Sequence, residues 1–189
     1  MEIFLIFIVA VLGLMIGSFL NVCIYRVPKE LSIIKPRSLC PKCSKALKFY
    51  DNIPVLSFII LGGKCRNCKY PISWRYPIIE LITSIITALM FFKWNSNPFW
   101  LTATLISSYI FIVIAIIDFE TMLIADIFSY AIGFIGLSFS FFNPYFSGAP
   151  IYKLAQSALG VLVGAAVIWL LAFIGKKIYK KEAVGEGDI

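Results

Sequence analysis

The chain has 189 residues, of which 60% are apolar, with a mean hydropathy of +0.91 and a formal net charge of +7. A soluble domain carries about 45–50% apolar residues, so composition excludes that class and points to an integral membrane protein. Nucleic-acid binding is excluded by how the charge is spread. Of the 17 Lys and Arg, all but Lys93 and Lys153 fall within Arg26–Arg75 and Lys176–Lys181. This is the asymmetry of the positive-inside rule, and no aromatic–basic reading surface accompanies it.

Met1–Ala10 has neither a basic n-region nor a small-residue cleavage site, so it reads as the start of a retained helix rather than a signal peptide. A membrane span needs about 20 residues. Spans are expected at Ile3–Tyr25, Pro77–Phe92 (with Trp94 as its far limit), Leu101–Ile117, Ile124–Phe142 and Leu154–Gly175. Pro98, Pro144 and Pro150 mark connections, and Trp94, Trp100 and Tyr145 sit where interfacial aromatics belong. The basic segment Arg26–Tyr76 is expected in the cytoplasm, which puts the N-terminus outside and Asp118 at the cytoplasmic end of the third span. After the fifth span Lys176, Lys177, Lys180 and Lys181 return to the same side, and Asp188 with them. The expected fold is therefore an all-α polytopic membrane protein of about five transmembrane helices, with a cytoplasmic zinc-ribbon-like loop between helices one and two. Anionic membrane lipid is a partner the basic segments would attract.

That loop carries Cys40-Pro41-Lys42-Cys43 and, further on, Cys65-Arg66-Asn67-Cys68. Two Cys-x-x-Cys pairs at this separation suit a closed, structural four-cysteine zinc site or another thiophilic metal. Gly62 and Gly63 favour the turn before the second pair, and the surrounding Lys and Arg would offset thiolate charge. Disulfides are the alternative, disfavoured in a reducing compartment. A thioredoxin-like redox pair lacks its βαβ context. Cys23, within helix one, reads as a small buried hydrophobe.

The chain has only 10 Asp and Glu, and ionisable groups at membrane boundaries usually face a bundle interior or a wet cavity. Asp118 and Asp188 are expected on one face of the membrane. Carboxylates that share a site cannot both ionise easily, so one serves as acid and the other as base. Asp126, eight residues beyond Asp118, is the rival on that segment. Glu80 follows Pro77 in the expected first turn of helix two, where an acid suits the helix dipole. Asn21 is placed to bond a neighbouring helix.

Four stretches taken together resemble the prepilin peptidases, the type IV leader peptidases of the GxGD aspartic protease class. They are Gly17-Ser18-Phe19-Leu20-Asn21-Val22 with Tyr25-Arg26-Val27-Pro28; the paired Cys-x-x-Cys loop with Asn52-Ile53-Pro54 inside it; Ser73-Trp74-Arg75-Tyr76-Pro77 running into Glu80; and Ile117-Asp118-Phe119-Glu120 with Asp126 and, far downstream, Gly185-Glu186-Gly187-Asp188. The resemblance implies an N-terminal region over residues 1–95 and a GxGD peptidase domain over 99–189. It implies Asp118 and Asp188 as the catalytic pair, with Gly185 and Gly187 letting the backbone approach substrate, and Asp126 and Glu80 in support. The implied substrate is a prepilin or pseudopilin of type IV pilus or type II secretion systems. Its basic leader would be cut just after a glycine at the cytoplasmic face of the bacterial inner membrane. Many such proteins also methylate the new N-terminus with S-adenosylmethionine; this chain has no Gly-rich Rossmann fingerprint, so that activity follows from resemblance alone.

The sequence departs from the pattern in two places. Ala125 stands where the resemblance expects Pro, which should loosen the turn after Asp118. Relatives also continue past the GxGD motif with a Lys and further helices, so a C-terminally truncated chain, weak or inactive as it stands, is expected. Two other classes compete. A transporter would use Asp118 and Asp126 for ion passage and would show deep acids and internal repeats. A non-catalytic scaffold would use its zinc loop to bind a partner.

Overall fold

The computed structural model describes residues 2–122 and 126–179. Helix α1 runs Glu2–Arg26, a short α2 spans Leu56–Ile60, and α3 to α6 run Arg75–Trp94, Pro98–Thr121, Asp126–Ser138 and Pro150–Tyr179. Four of these are long and apolar enough to cross a membrane: α1, α3, α4 and α6. The described part of the expected fourth span is shorter than Ile124–Phe142. Helix α5 covers 13 residues and a separate 3-10 turn takes Ser140–Phe142. The apolar run continues through that break, so hydropathy alone could not show it. Phe139 leaves the helical region, and the Ser140 hydroxyl, buried, donates to the Leu137 carbonyl at 2.7 Å.

Helix α4 opens on Asn97, whose side-chain oxygen accepts the Trp100 amide at 3.2 Å, with Pro98 in the first turn. A proline there lacks only a donor that would be orphaned anyway. The helix closes at Met122, which takes left-handed angles (φ 56°) while its amide bonds the Asp118 carbonyl at 2.8 Å. At the opposite end of the bundle Trp94 packs edge-on against Trp100 and Tyr145, and Phe99 stacks on Phe142.

The tightest packing is between α1 and α3. A Cβ on Gly13 would lie 2.6 Å from the Ser84 Cα, and one on Gly17 would lie 2.7 Å from the Glu80 Cα. The two backbones meet with nothing between them, the packing that a Gly-x-x-x-Gly stripe permits. The facing side of α3 is polar: Glu80, Thr83, Ser84 and Thr87 are all buried. Each hydroxyl is bonded, Thr83 to the Ile79 carbonyl, Ser84 to the Ala10 carbonyl, and Thr87 to the Thr83 carbonyl and the Tyr109 hydroxyl. Asn21, one turn past Gly17, donates to the Gly17 carbonyl at 3.2 Å and across to the Tyr76 carbonyl at 3.1 Å. The buried apolar core lies at the same end, formed by Leu20 and Ile24 of α1, Ile79 of α3, and Val113 and Ile117 of α4.

Candidate active site and metal centre

The loop between α1 and α3 folds into two knuckles with the same backbone pattern. In the first, the Cys40 amide donates to the Lys45 carbonyl at 3.0 Å and the Ser44 amide to the Cys40 carbonyl at 2.9 Å. In the second, the Cys65 amide donates to Tyr70 at 2.8 Å and the Lys69 amide to Cys65 at 3.0 Å. Each has a positive-φ residue four places after its first cysteine, Ser44 (54°) and Lys69 (58°). Each is closed by one antiparallel bridge, Leu39 with Ala46 and Lys64 with Pro71. The expected ribbon is thus reduced to bridges. Gly62 and Gly63 take positive φ before the second knuckle, and Gly63 lies against the far end of the Phe58 ring, where a Cβ would come within 3.0 Å. Asp51 holds the second knuckle from the side, accepting both Nε and an Nη of Arg66 on one oxygen at 2.8 and 2.7 Å.

The knuckles bring the four cysteine sulfurs within 4.8 Å of one another, a group able to hold a metal ion. All are free thiols, so the disulfide alternative is not adopted. The Cys40–Cys68 sulfur separation of 3.7 Å matches the edge of a tetrahedron with metal–sulfur bonds of about 2.3 Å. The Cys43 amide, with help from Lys42, holds the Cys40 thiol down to about 6. Against the pull of the Tyr70 amide, desolvation and the three neighbouring cysteines push Cys68 up to about 11. The thiols therefore titrate as a coupled group, and a metal would displace the protons they retain.

Asp118 sits in the last turn of α4, half-buried, directly after Ile117 of the core. The structure therefore brings it to the end of the bundle that carries the cysteine loop. Asp126 is exposed in the first turn of α5, and Phe128 beside it packs on the same core, so both acids lie at this end. Asp188, Gly185 and Gly187 lie outside the described residues, as does Ala125. Glu80 does not occupy the expected place. Helix α3 starts at Arg75 rather than Pro77, so Glu80 falls in its second turn, buried against Gly17 of α1. Its carboxylate accepts the Val55 amide at 2.7 Å. Val55 (φ 60°, ψ −50°) is the centre of a γ-turn closed by the Leu56 amide on the Pro54 carbonyl, a conformation rare for a β-branched residue. Glu80 is thus a tie between loop and membrane helix rather than a dipole partner.

Two arrangements escape sequence reasoning. The Gly13–Gly17 spacing is present in the sequence, but nothing local shows which helix it faces. The ion pair between Arg75, first residue of α3, and Glu120, in the last turn of α4, joins residues far apart in sequence, and no local pattern announces it.

Comparison with known proteins accords with this arrangement. The model for the bacterial peptidase A24 N-terminal domain matches residues 11–94, and that for the type IV leader peptidase family matches residues 105–189. The chain is 33% identical to the prepilin leader peptidase/N-methyltransferase of Neisseria gonorrhoeae, over 95% of this chain and 68% of the relative. The chain belongs to the type IV leader peptidase family. It is 34% identical to a type 4 prepilin-like proteins leader peptide-processing enzyme of Escherichia coli O78:H11, over 94% of this chain and 70% of that protein. The prepilin leader peptidase/N-methyltransferase of Myxococcus xanthus is 36% identical over 94% of this chain, which spans only 51% of that longer relative. No solved structure gives a significant match. Within the family, then, this is an integral membrane protein whose cysteine loop leaves and re-enters the bundle at the end where α4 carries Asp118.

Proposed function

We propose that the chain forms the membrane aspartic endopeptidase that removes the basic leader from type IV prepilin-like precursors, with Asp118 and Asp188 as its catalytic carboxylates. The observation that carries this reading is the place of Asp118: half-buried on the core at the loop end of α4, in a chain that belongs to the leader peptidase family. One carboxylate takes a proton from the attacking water while the protonated partner polarises the scissile carbonyl. Charge asymmetry supports a cytoplasmic active site in the bacterial inner membrane with the N-terminus outside. The division into residues 1–95 and 99–189 assigns the cysteine loop to the first part and both aspartates to the second.

The cysteine cluster is proposed to hold zinc. Four cysteine sulfurs within 4.8 Å of one another would leave a tetrahedral ion no open position, so the ion would be structural and its chemistry would be to fix the two knuckles. Methylation of the new N-terminus with S-adenosylmethionine rests on the relatives' names. A cavity of about 290 Å³ beside the loop is lined by Arg26, Arg37 and Lys48 with no carboxylate. That lining offers a sulfonium no counter-charge, so no methyl-donor site is assigned to it.

The test is co-expression with a tagged prepilin in a host lacking its own peptidase, read as the leader-dependent mobility shift. Cleavage by the chain, or by a version extended through the length its relatives have, with loss of at least ~10³-fold in Asp118→Asn, supports the reading. Undiminished cleavage by Asp118→Asn assigns the chemistry elsewhere. Cleavage by neither form favours the scaffold, which would tolerate that substitution.

A further inference from the structure

We infer that Arg75 and Glu120 are a positioning pair that fixes the Asp118 end of α4 to the exit of the cysteine loop. The inference rests on the aspartic-peptidase reading of Asp118 and adds to it the device that orients that residue. The last buried side chain of α4 is Ile117; after it Phe119 is 84% exposed and Glu120 is exposed too. Among the described residues, the Glu120–Arg75 contact is the only hydrogen bond or ion pair that joins the last turn of α4 to another element. Without it, that turn ends in a left-handed residue and its hydrogen bonds are all internal to α4.

Both charges stand at the wrong ends of their own helices. A cation at the first position of α3 and an anion in the last turn of α4 each oppose the helix dipole. Neither is explained by its own helix; each is explained by the other. Arg75 is also well anchored. Its amide is held by the Ser73 hydroxyl at 3.2 Å, its guanidinium lies 5.2 Å from the Tyr76 ring centroid, and the next carbonyl takes the Asn21 amide. Its Nε is buried without a partner, so the Nη contact to Glu120 carries the bond to α4.

The anchor continues back to the metal knuckle. Trp74 packs edge-on against Phe58 at 4.7 Å, Phe58 underlies Gly63, and the Ile72 amide bonds the Gly63 carbonyl at 2.7 Å. A continuous set of contacts thus runs from Cys65 to Arg75, to Glu120 and to the turn that bears Asp118. Neither Arg75 nor Glu120 is placed among the reacting groups; the pair acts on Asp118 through the turn that bears it.

The experiment uses the full membrane protein and compares Glu120→Gln, Arg75→Glu and the charge-swapped pair Arg75→Glu with Glu120→Arg. Each single change should lower kcat for leader cleavage about 10- to 100-fold with KM little changed, since misplacing a catalytic group by about 1 Å costs this much. The swapped pair should recover most of the loss, whereas losses that simply multiply would overturn the inference. A rise in KM at constant kcat would also overturn it, because Glu120 would then be binding the basic leader. A readout independent of turnover separates this from failure of the peptidase reading: spin labels carried on unnatural residues at the exposed positions Lys69 and Phe119. Their distance distribution should broaden in Glu120→Gln and narrow again in the swapped pair, whether or not prepilin is cut. An unchanged distribution sinks the pair as a positioning device.

Discussion

Helices α1 and α6 are both apolar and both carry a Gly-x-x-x-Gly stripe, yet they are used in opposite ways. In α1, Gly13 and Gly17 lie against α3 backbone atoms under 3 Å from where a Cβ would stand. In α6, among the described residues, Gly160 and Gly164 have nothing within 4 Å and none of the membrane-spanning window is buried. What separates them is the partner surface. Helix α3 offers buried hydroxyls and a carboxylate that can be satisfied only at short range, whereas α6 meets α5 through contacts such as Ser157 to the Gly136 carbonyl at 3.4 Å. Lipid is as apolar as Leu, so small residues alone do not drive association; packing and hydrogen bonds do.

The sharpest way to break the locked half is through its loop. Stripping the metal should release both knuckles, because structural zinc in small domains contributes on the order of 10 kcal/mol of apparent binding energy. Hydrogen exchange should then accelerate at the Cys40, Ser44, Cys65 and Lys69 amides while α6 is unchanged. Acid should act in the same direction: protons compete for the thiolates, so metal affinity falls as pH falls and titration with a chelator shifts accordingly.

Next in size is Gly17→Leu. A side chain there must push apart α1 and α3 and unseat Glu80 from Val55, costing about 1–3 kcal/mol or more, measured as a lowered Tm in detergent. The matching change Gly164→Leu on α6 should fall within about 0.5 kcal/mol of the parent. Equal losses from the two substitutions would erase the contrast between these helices.

Much of this was legible in the sequence, and the reason differs by region. The cysteine cluster was readable because its members are specified by residue type at short spacing, and the short spacing dictates the knuckle. The end of the bundle occupied by Asp118 was readable from charge, because Lys and Arg record which side each loop takes. The ion pair Arg75–Glu120 and the bond from Val55 to Glu80 were not, since each joins separate elements and leaves no periodicity behind. The break after Ser138 was hidden for another reason: Phe139, Phe141 and Phe142 keep hydropathy high through a turn whose cause is backbone geometry. The register of α3 was misplaced because Pro77 was taken as its first residue, although proline is tolerated throughout the first turn.

The packing of α1 on α3 also bears on how the chain is made. Helix α3 has the lowest hydropathy of the four spans, 1.5 against 2.5 for the first, because its buried face carries Glu80, Thr83, Ser84 and Thr87. Alone in lipid, that face would leave its carboxylate without the Val55 amide and the Ser84 hydroxyl without the Ala10 carbonyl. During synthesis α1 leaves the ribosome first and enters the bilayer readily, but its Asn21 still lacks the Tyr76 carbonyl. The cysteine loop is translated in the interval, and the second helix arrives to a groove already lined with glycine. Each helix thus supplies hydrogen-bond partners that the other lacks when alone, so α1 can enter the bilayer by itself, whereas α3 gains its full set only once it packs on α1.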